Sequence, residues 1–287
     1  MQQKISFNLI RTIQNQRCEA GITIGPFYNK VVQEERVMRR FWKRFFADEG
    51  EYPPAGIPSA GYFILIILTI TTIGVSLHYT LRWSYPDIRI LLRNIILILW
   101  VLEIIKIGYR WHYGYRKDPD TWVPLYFCSI TLFAGLLSAF GKGILRHIGD
   151  VFICTGGLVG GVCFLMYPST SLLIFPASHF LSIHSFIYHG CMTYLGILLN
   201  RSGMVNLQWS DMIYFFLYTV FFCLLAFLVD QKTGSNLMFV EKAFPGDLGK
   251  LTRRVFRKFY TSFMILIQGT APFISIMLFR TYTALLG

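Results

Sequence analysis

The chain has 287 residues, of which 54% are hydrophobic and only 15% are charged. A soluble globular protein carries about 25% charged residues, so this composition excludes a soluble enzyme, and its excess of apolar residues excludes a disordered chain. The net charge of +12 indicates an anionic partner, and the long apolar runs favour a membrane over nucleic acid as that partner.

The first 58 residues predict a basic cytoplasmic tail that contains an interfacial helix. Between residues 36 and 46, cations recur at helical spacing opposite a row of apolar side chains. Such a helix lies flat in the headgroup layer with its cations on anionic lipid, and its apolar face argues against nucleic acid. Segment 248–259 repeats the pattern. The cations expected to contact anionic lipid are Arg39, Arg40, Arg253 and Arg254. A positive-inside flank with no further role is the alternative, because it requires the same residues.

Residues 59–287 predict an all-α transmembrane domain, a bundle of about seven helices, since about 20 mostly apolar residues cross a bilayer. The predicted segments are 61–81, 88–108, 123–140, 147–167, 178–199, 212–230 and 260–285. Lys and Arg are concentrated in the N-terminal tail and after the second and sixth segments. This distribution predicts a cytoplasmic N-terminus and an external C-terminus. Glycines in the fourth segment, Gly156, Gly157, Gly160 and Gly161, are typical of close helix packing.

The second segment carries Glu103 and Lys106, three residues apart and therefore on one face. Ionisable groups within a membrane helix are costly, so each one is a candidate site residue. An ion pair that fixes helix packing is the simpler interpretation. Contact with a lipid headgroup is the functional one.

A polar stripe runs along the fifth segment. Its members are Ser178, Ser182, Ser185, His189 and Thr193. Hydroxyls and an imidazole facing lipid would lack hydrogen-bond partners, so the stripe should face the interior of the bundle. His179 and His184 lie on other faces of a straight helix, which disfavours a three-histidine zinc site, and we expect no metal.

Cys128 is predicted about one turn inside the third segment, where unpaired N–H groups favour a thiolate. The third and fifth segments both start from the cytoplasmic side, so Cys128 and His189 can meet in the inner half of the bilayer. A thiol beside an imidazole is the minimum for nucleophilic acyl transfer. Spacing alone leaves a chance pairing or a packing role for His189 open.

Glu103 and four short stretches occur in an order that is typical of one family of membrane proteins. The stretches are VPLYFCSI, YPSTSLLIFP, YHG ending at Gly190, and GSNLMFVEK. Together they resemble the YwaF-like bacterial integral membrane family, which is similar to eukaryotic transmembrane protein 164. That relative is regarded as a cysteine acyltransferase moving acyl chains between phospholipids, and its nucleophile and histidine fall on Cys128 and His189 here. Family members often carry a histidine where this chain has Tyr126, and they often read NYMF over 236–239.

The resemblance implies a membrane-embedded acyltransferase or lipid hydrolase that acts on phospholipid acyl chains, in the bacterial cell membrane, without a cofactor. Cys128 is the expected nucleophile and His189 the general base. Ser185 or Asn236 is expected to orient the base or stabilise the oxyanion.

In this interpretation Glu103 and Lys106 contact the substrate headgroup, and the partners are a phospholipid or fatty acyl substrate and anionic lipids. Two other function classes stay open: a transporter or receptor whose polar stripe lines a solute pathway, and a non-catalytic lipid-binding scaffold. Transporters often contain internal repeats, and the two halves of the sequence show no convincing one.

Overall fold

Helices make up all the regular secondary structure that the computed structural model describes, over residues 26–244 and 246–286. The predicted all-α fold is therefore confirmed. Residues 1–25 of the predicted tail lie outside these ranges. The chain divides into two units, one ending at Ala47 and the other beginning at Asp48. The tail boundary after residue 58 stays a prediction.

The first unit contains helix α1, Pro26–Phe45, over most of the segment predicted to be an interfacial helix. Its exposed cations are Arg36, Arg39, Arg40, Lys43 and Arg44. Large apolar side chains of the same helix are exposed as well, namely Val37, Met38, Phe41 and Trp42. A helix with cations on one face and uncovered apolar side chains on another has the chemistry of a membrane interface.

The second unit holds the remaining helices. They are α2 Ala60–Thr80, α3 Tyr85–His112, α4 Ile130–Phe140, α5 Ile144–Phe152, α6 Leu158–Met166, α7 Ser169–Leu172, α8 Phe180–Arg201, α9 Met212–Thr233, α10 Asp247–Phe256 and α11 Tyr260–Leu286. Serine side chains cap the N-termini of two of these helices, α2 and α3. The hydroxyl oxygens of Ser59 and Ser84 accept hydrogen bonds from backbone N–H groups three residues ahead, which satisfies donors that have no partner inside the helix.

Four stretches of the described chain are long and apolar enough to cross a bilayer. They are Ala60–Thr80, Ile144–Met166, Trp209–Thr233 and Gly249–Ala284. The predicted count of about seven is not confirmed by these four, since α3 carries several charges and α8 the polar stripe. The predicted third segment contains only α4, which at 11 residues spans about 16 Å, roughly half of a hydrocarbon core.

Helices α5 and α6 form one rod that is interrupted by a π-helical turn, Ile153–Gly157. The rod packs very closely on α8. A Cβ at Gly161 would lie 2.9 Å from both the carbonyl oxygen of His189 and the backbone nitrogen of Thr193. Only glycine permits this approach, as the small-residue pattern predicts.

A hydrogen-bonded ion pair joins three helices of the bundle. The guanidinium of Arg89 on α3 donates to both carboxylate oxygens of Asp150 on α5, over 2.6 and 3.0 Å. Ser138 on α4 donates to the same carboxylate, and its carbonyl oxygen accepts from Arg89. Bidentate pairing of this kind is what makes charges tolerable at membrane depth.

Candidate active site

Cys128 lies just before a helix, not inside one. Helix α4 begins at Ile130, and residues 126–129 form a turn, so the prediction that Cys128 lies one turn inside the helix is wrong. The first N–H groups of this region already have acceptors: Ile130 donates to the carbonyl of Tyr126, and Thr131 to that of Cys128. Hydropathy placed the helix start too early because the turn also contains apolar side chains, among them Phe127.

The environment of the Cys128 side chain is set by α6. Its Sγ lies 3.9 Å from the carbonyl oxygen of Gly160, within reach of a weak S–H hydrogen bond. A Cβ at Gly160 would lie 3.3 Å from this sulfur and 3.4 Å from Cε of Met192. The thiol is half-buried. Cys128 thus lies against α6, at a glycine that Met192 of α8 also approaches.

The ring of His189 on α8 is fixed on two sides. Its Nδ1 lies 2.8 Å from the carbonyl oxygen of Ser185, and its ring stacks on Phe164 of α6 at 3.7 Å between centroids. A carbonyl oxygen can only accept, so Nδ1 carries the proton, and neutral His189 has its lone pair on Nε2. In this tautomer Nε2 is the ring nitrogen that is able to accept a proton.

One face of α6 carries the contacts to both predicted catalytic residues. Gly160 lies beside Cys128 and Phe164 beside His189, four residues apart and therefore one above the other on the helix. A second link runs through Tyr188, whose hydroxyl donates to the carbonyl oxygen of Cys128 over 3.0 Å. The structure thus brings both residues to one region, although it gives no hydrogen bond between them within the described residues.

Glu103 and Lys106 form an ion pair, with Lys106 Nζ 2.6 Å from Glu103 Oε1. The carboxylate is buried, and its other oxygen lies 3.9 Å from Nε2 of His184 on α8. His184 is itself buried, and this nitrogen has no hydrogen-bond partner among the described residues. The pair thus contributes a polar layer between α3 and α8.

The two residues expected to assist catalysis differ in how they are used. Ser185 contacts His189 through its backbone carbonyl, an interaction that does not require its hydroxyl. The side-chain amide of Asn236 donates to the carbonyl of Lys242 and accepts from its N–H, and the Asn236 backbone N–H donates to Asp120. The amide of Asn236 is therefore occupied in closing its own loop.

That loop packs into the bundle. Leu237 and Met238 are buried in the main core, and the carbonyl of Met238 accepts from Gln268 of α11. Met238 and Phe239 both have positive φ, which is unusual for residues with side chains. Tyr126, two residues before Cys128, donates to Asp120 and packs its ring on Phe239. Tyr126 therefore ties the Cys128 turn to the loop, through its ring and through Asp120, which also accepts from the Asn236 N–H.

The cations predicted to contact lipid lie on two helices. Arg39 and Arg40 are exposed on α1, and Arg253 and Arg254 are exposed on α10. The guanidinium of Arg253 also lies 4.8 Å from the ring centre of Tyr260, which ties it to the start of α11.

Sequence reasoning did not single out Tyr188 or the pairing of His184 with Glu103. Tyr188 belongs to the YHG stretch, so its position next to His189 was the available indication. No group of three or more metal-ligating side chains occurs in the part of the chain that the structure describes.

The comparisons with known proteins concern the family to which the chain belongs. Neither the curated proteins nor the solved structures gave a match. The family model described as TMEM164 family matches residues 56–280. The resemblance to transmembrane protein 164 is thereby confirmed, while the YwaF-like bacterial assignment stays a prediction. With four stretches able to cross a bilayer and a family match over most of its length, this chain belongs to the TMEM164 family of membrane proteins.

Proposed function

We propose that this protein is a membrane-embedded acyltransferase or lipid hydrolase that acts on phospholipid acyl chains through Cys128 and His189. The observation that supports this proposal most is that both residues pack against the same helix, α6. The thiol and the imidazole pack against Gly160 and Phe164, one turn apart on α6. Family membership alone does not supply an activity, since function is carried by a site and not by a fold.

In the first half-reaction, Nε2 of His189 takes the thiol proton and the thiolate of Cys128 attacks an ester carbonyl of the phospholipid. The intermediate collapses with cleavage of the ester C–O bond. The lysophospholipid leaves after its alkoxide recovers the proton from His189, and the acyl chain stays on Cys128 as a thioester.

The second half-reaction releases the chain. A lysophospholipid hydroxyl gives its proton to His189 and attacks the thioester, and the leaving thiolate takes that proton back. Water in place of the hydroxyl yields a free fatty acid. Ser185 supports both steps because its carbonyl holds Nδ1. The Glu103–Lys106 pair, whose lysine side chain is partly exposed, is proposed to contact the headgroup.

The proposal places the protein in the bacterial cell membrane with a cytoplasmic N-terminus, as the distribution of Lys and Arg predicts. Cys128 then lies on the cytoplasmic half of the bundle, where α4 and α8 begin. The apolar walls of the surrounding helices supply the environment for acyl chains.

A substitution of Cys128 by alanine tests the function, and Cys163→Ala is the matched control because Cys163 is an exposed thiol on α6. Both variants are reconstituted in vesicles that contain a phospholipid with a labelled acyl chain and an unlabelled lysophospholipid. Cys128→Ala should abolish both the hydroxylamine-sensitive acyl-protein and transfer of label, while Cys163→Ala retains both. Transfer at the wild-type rate by folded Cys128→Ala would overturn the proposal and favour transport or scaffolding.

A further inference from the structure

We infer that Tyr188 is a positioning residue that sets the place of the Cys128 thiol relative to His189. This inference rests on the proposed function and deepens it. The hydroxyl of Tyr188 donates to the carbonyl oxygen of Cys128 over 3.0 Å. Tyr188 directly precedes His189 in the sequence. Helix α8 therefore carries both the proposed base and the side chain that holds the backbone of Cys128.

The turn at Cys128 depends on this contact because it lies outside the regular structure of α4. Within the chain, the carbonyl of Cys128 accepts only from Thr131 in addition to Tyr188 among the described contacts. A non-helical residue lacks the ladder of hydrogen bonds that fixes a residue inside a helix. The Tyr188 hydroxyl supplies a second, long-range restraint.

The other end of this connection is rigid. Tyr188 is buried, and the ring of His189 is fixed by the Ser185 carbonyl and by stacking on Phe164. Loss of the hydroxyl therefore releases the thiol and leaves the base in place. A displacement of about 1 Å between reacting groups costs on the order of 100-fold in rate.

Tyr188→Phe tests the inference, and Tyr218→Phe is a matched control. The Tyr218 hydroxyl is also buried and donates to a backbone carbonyl of the same region, that of Ile130, over 2.8 Å. Single-turnover acylation of Cys128 by the labelled phospholipid gives a rate constant, which reports the placement of the thiol, and an amplitude, which reports the folded fraction. If Tyr188 has only a structural role, its substitution lowers the amplitude alone. We expect Tyr188→Phe to lower the rate constant about tenfold or more with KM little changed, and Tyr218→Phe to leave the rate constant unchanged.

Alkylation of the thiols by a small iodoacetamide provides a second measurement that does not require activity. Tyr188→Phe should change the alkylation rate of Cys128 several-fold relative to Cys163 in the same molecule. If Cys128→Ala abolishes acyl transfer while Tyr188→Phe keeps the wild-type acylation rate constant, the role of Tyr188 is overturned alone. If Cys128→Ala retains acyl transfer, the proposed function is overturned. In that case the alkylation measurement still tests Tyr188, because an unchanged alkylation rate of Cys128 in Tyr188→Phe would overturn the positioning role as well.

A second inference rests on α1 alone: we propose that this helix lies on an anionic phospholipid surface. Its cations and its bare apolar side chains occupy different faces. A neutral surface offers the apolar side chains a partner but has no net charge to attract a cluster of cations. An anionic bilayer satisfies both, each cation adding about fivefold in affinity near such a surface.

Hydrogen exchange of residues 33–46 in the full chain tests this surface, in nanodiscs of phosphatidylcholine with or without about 30 mol% phosphatidylglycerol. We expect slower exchange with phosphatidylglycerol, weakened by salt and lost in the triple variant Arg36→Gln, Arg39→Gln, Arg40→Gln. The matched control changes three exposed cations elsewhere, Arg82, Lys142 and Arg201, to Gln. Equal exchange in both lipid mixtures overturns the inference, and so does equal protection in detergent micelles.

Discussion

Two neighbouring glycines of α6 give the sharpest prediction, because the same substitution should affect activity at one and stability at the other. At Gly160, a Cβ would lie 3.3 Å from Cys128 Sγ and 3.4 Å from Met192 Cε. The contact to the sulfur is a few tenths of an ångström too short, and the contact to Met192 is at the limit of ordinary van der Waals contact. Both atoms are the ends of side chains that can move. At Gly161, the Cβ would meet backbone atoms of α8 at 2.9 Å, which cannot move alone.

The expected energies follow from these contacts. Alanine in a helix interior is favoured over glycine by about 1 kcal/mol. At Gly160 this gain offsets the cost of shifting two side-chain ends, so the free energy of unfolding should change by less than about 1 kcal/mol. At Gly161 the rod must move away from α8, and the net loss of stability should be about 1–3 kcal/mol.

The effect on activity should run in the opposite order. Gly160→Ala pushes directly on the sulfur, so acyl transfer per folded molecule should fall about tenfold or more. Turnover is normalised to the folded fraction, which is measured by thermal unfolding in detergent. Wild-type turnover in Gly160→Ala would refute the importance of the thiol's place against α6. Wild-type stability in Gly161→Ala would refute the close packing of α6 on α8.

Three further predictions concern single side chains. Ser185→Ala should keep acyl transfer within about twofold, because the contact to His189 comes from the backbone carbonyl; a large loss would assign the hydroxyl a role. Asp150→Asn should destabilise the protein by about 3 kcal/mol in thermal unfolding, because it leaves Arg89 without its partner, whereas an unchanged midpoint would mean that the pair contributes nothing. Asn236→Ala removes two hydrogen bonds to the backbone of Lys242, at roughly 1–2 kcal/mol, so hydrogen exchange over 234–242 should quicken, and unchanged exchange would contradict the loop-closing role.

The sequence was sufficient for the helical fold and for the family, because both depend on long patterns. Long apolar runs predict helices α2, α9 and α11, and a run of about 20 residues is a reliable signal even where single residues deviate from it. The same reasoning misplaced the start of α4, since most of residues 123–130 are apolar and hydropathy does not distinguish a turn from a helix. It also could not anticipate the π-helical turn at Ile153–Gly157, which changes hydrogen bonding without a change in composition.

At the site, residue types were easier to predict than the way each is used. Glu103 and Lys106 pair as their spacing indicated, because that interaction is local to one helix. The partners of Asn236 and Tyr188 depend on backbone groups elsewhere in the chain. A carbonyl is present at every residue, so no sequence pattern marks the one that accepts a hydrogen bond.

The position of Cys128 determines which group is able to activate it. A helix start favours a thiolate only if its first N–H groups lack acceptors. Here Ile130, Thr131 and Leu132 donate to the carbonyls of Tyr126, Cys128 and Ser129, so these donors are already used within the turn. In the proposed mechanism the thiol is therefore activated by a base, and His189 presents the unprotonated Nε2 that this role needs. His189→Gln should for that reason slow acylation of Cys128 far more than any change at the helix start. A variant with wild-type acylation would require a different base.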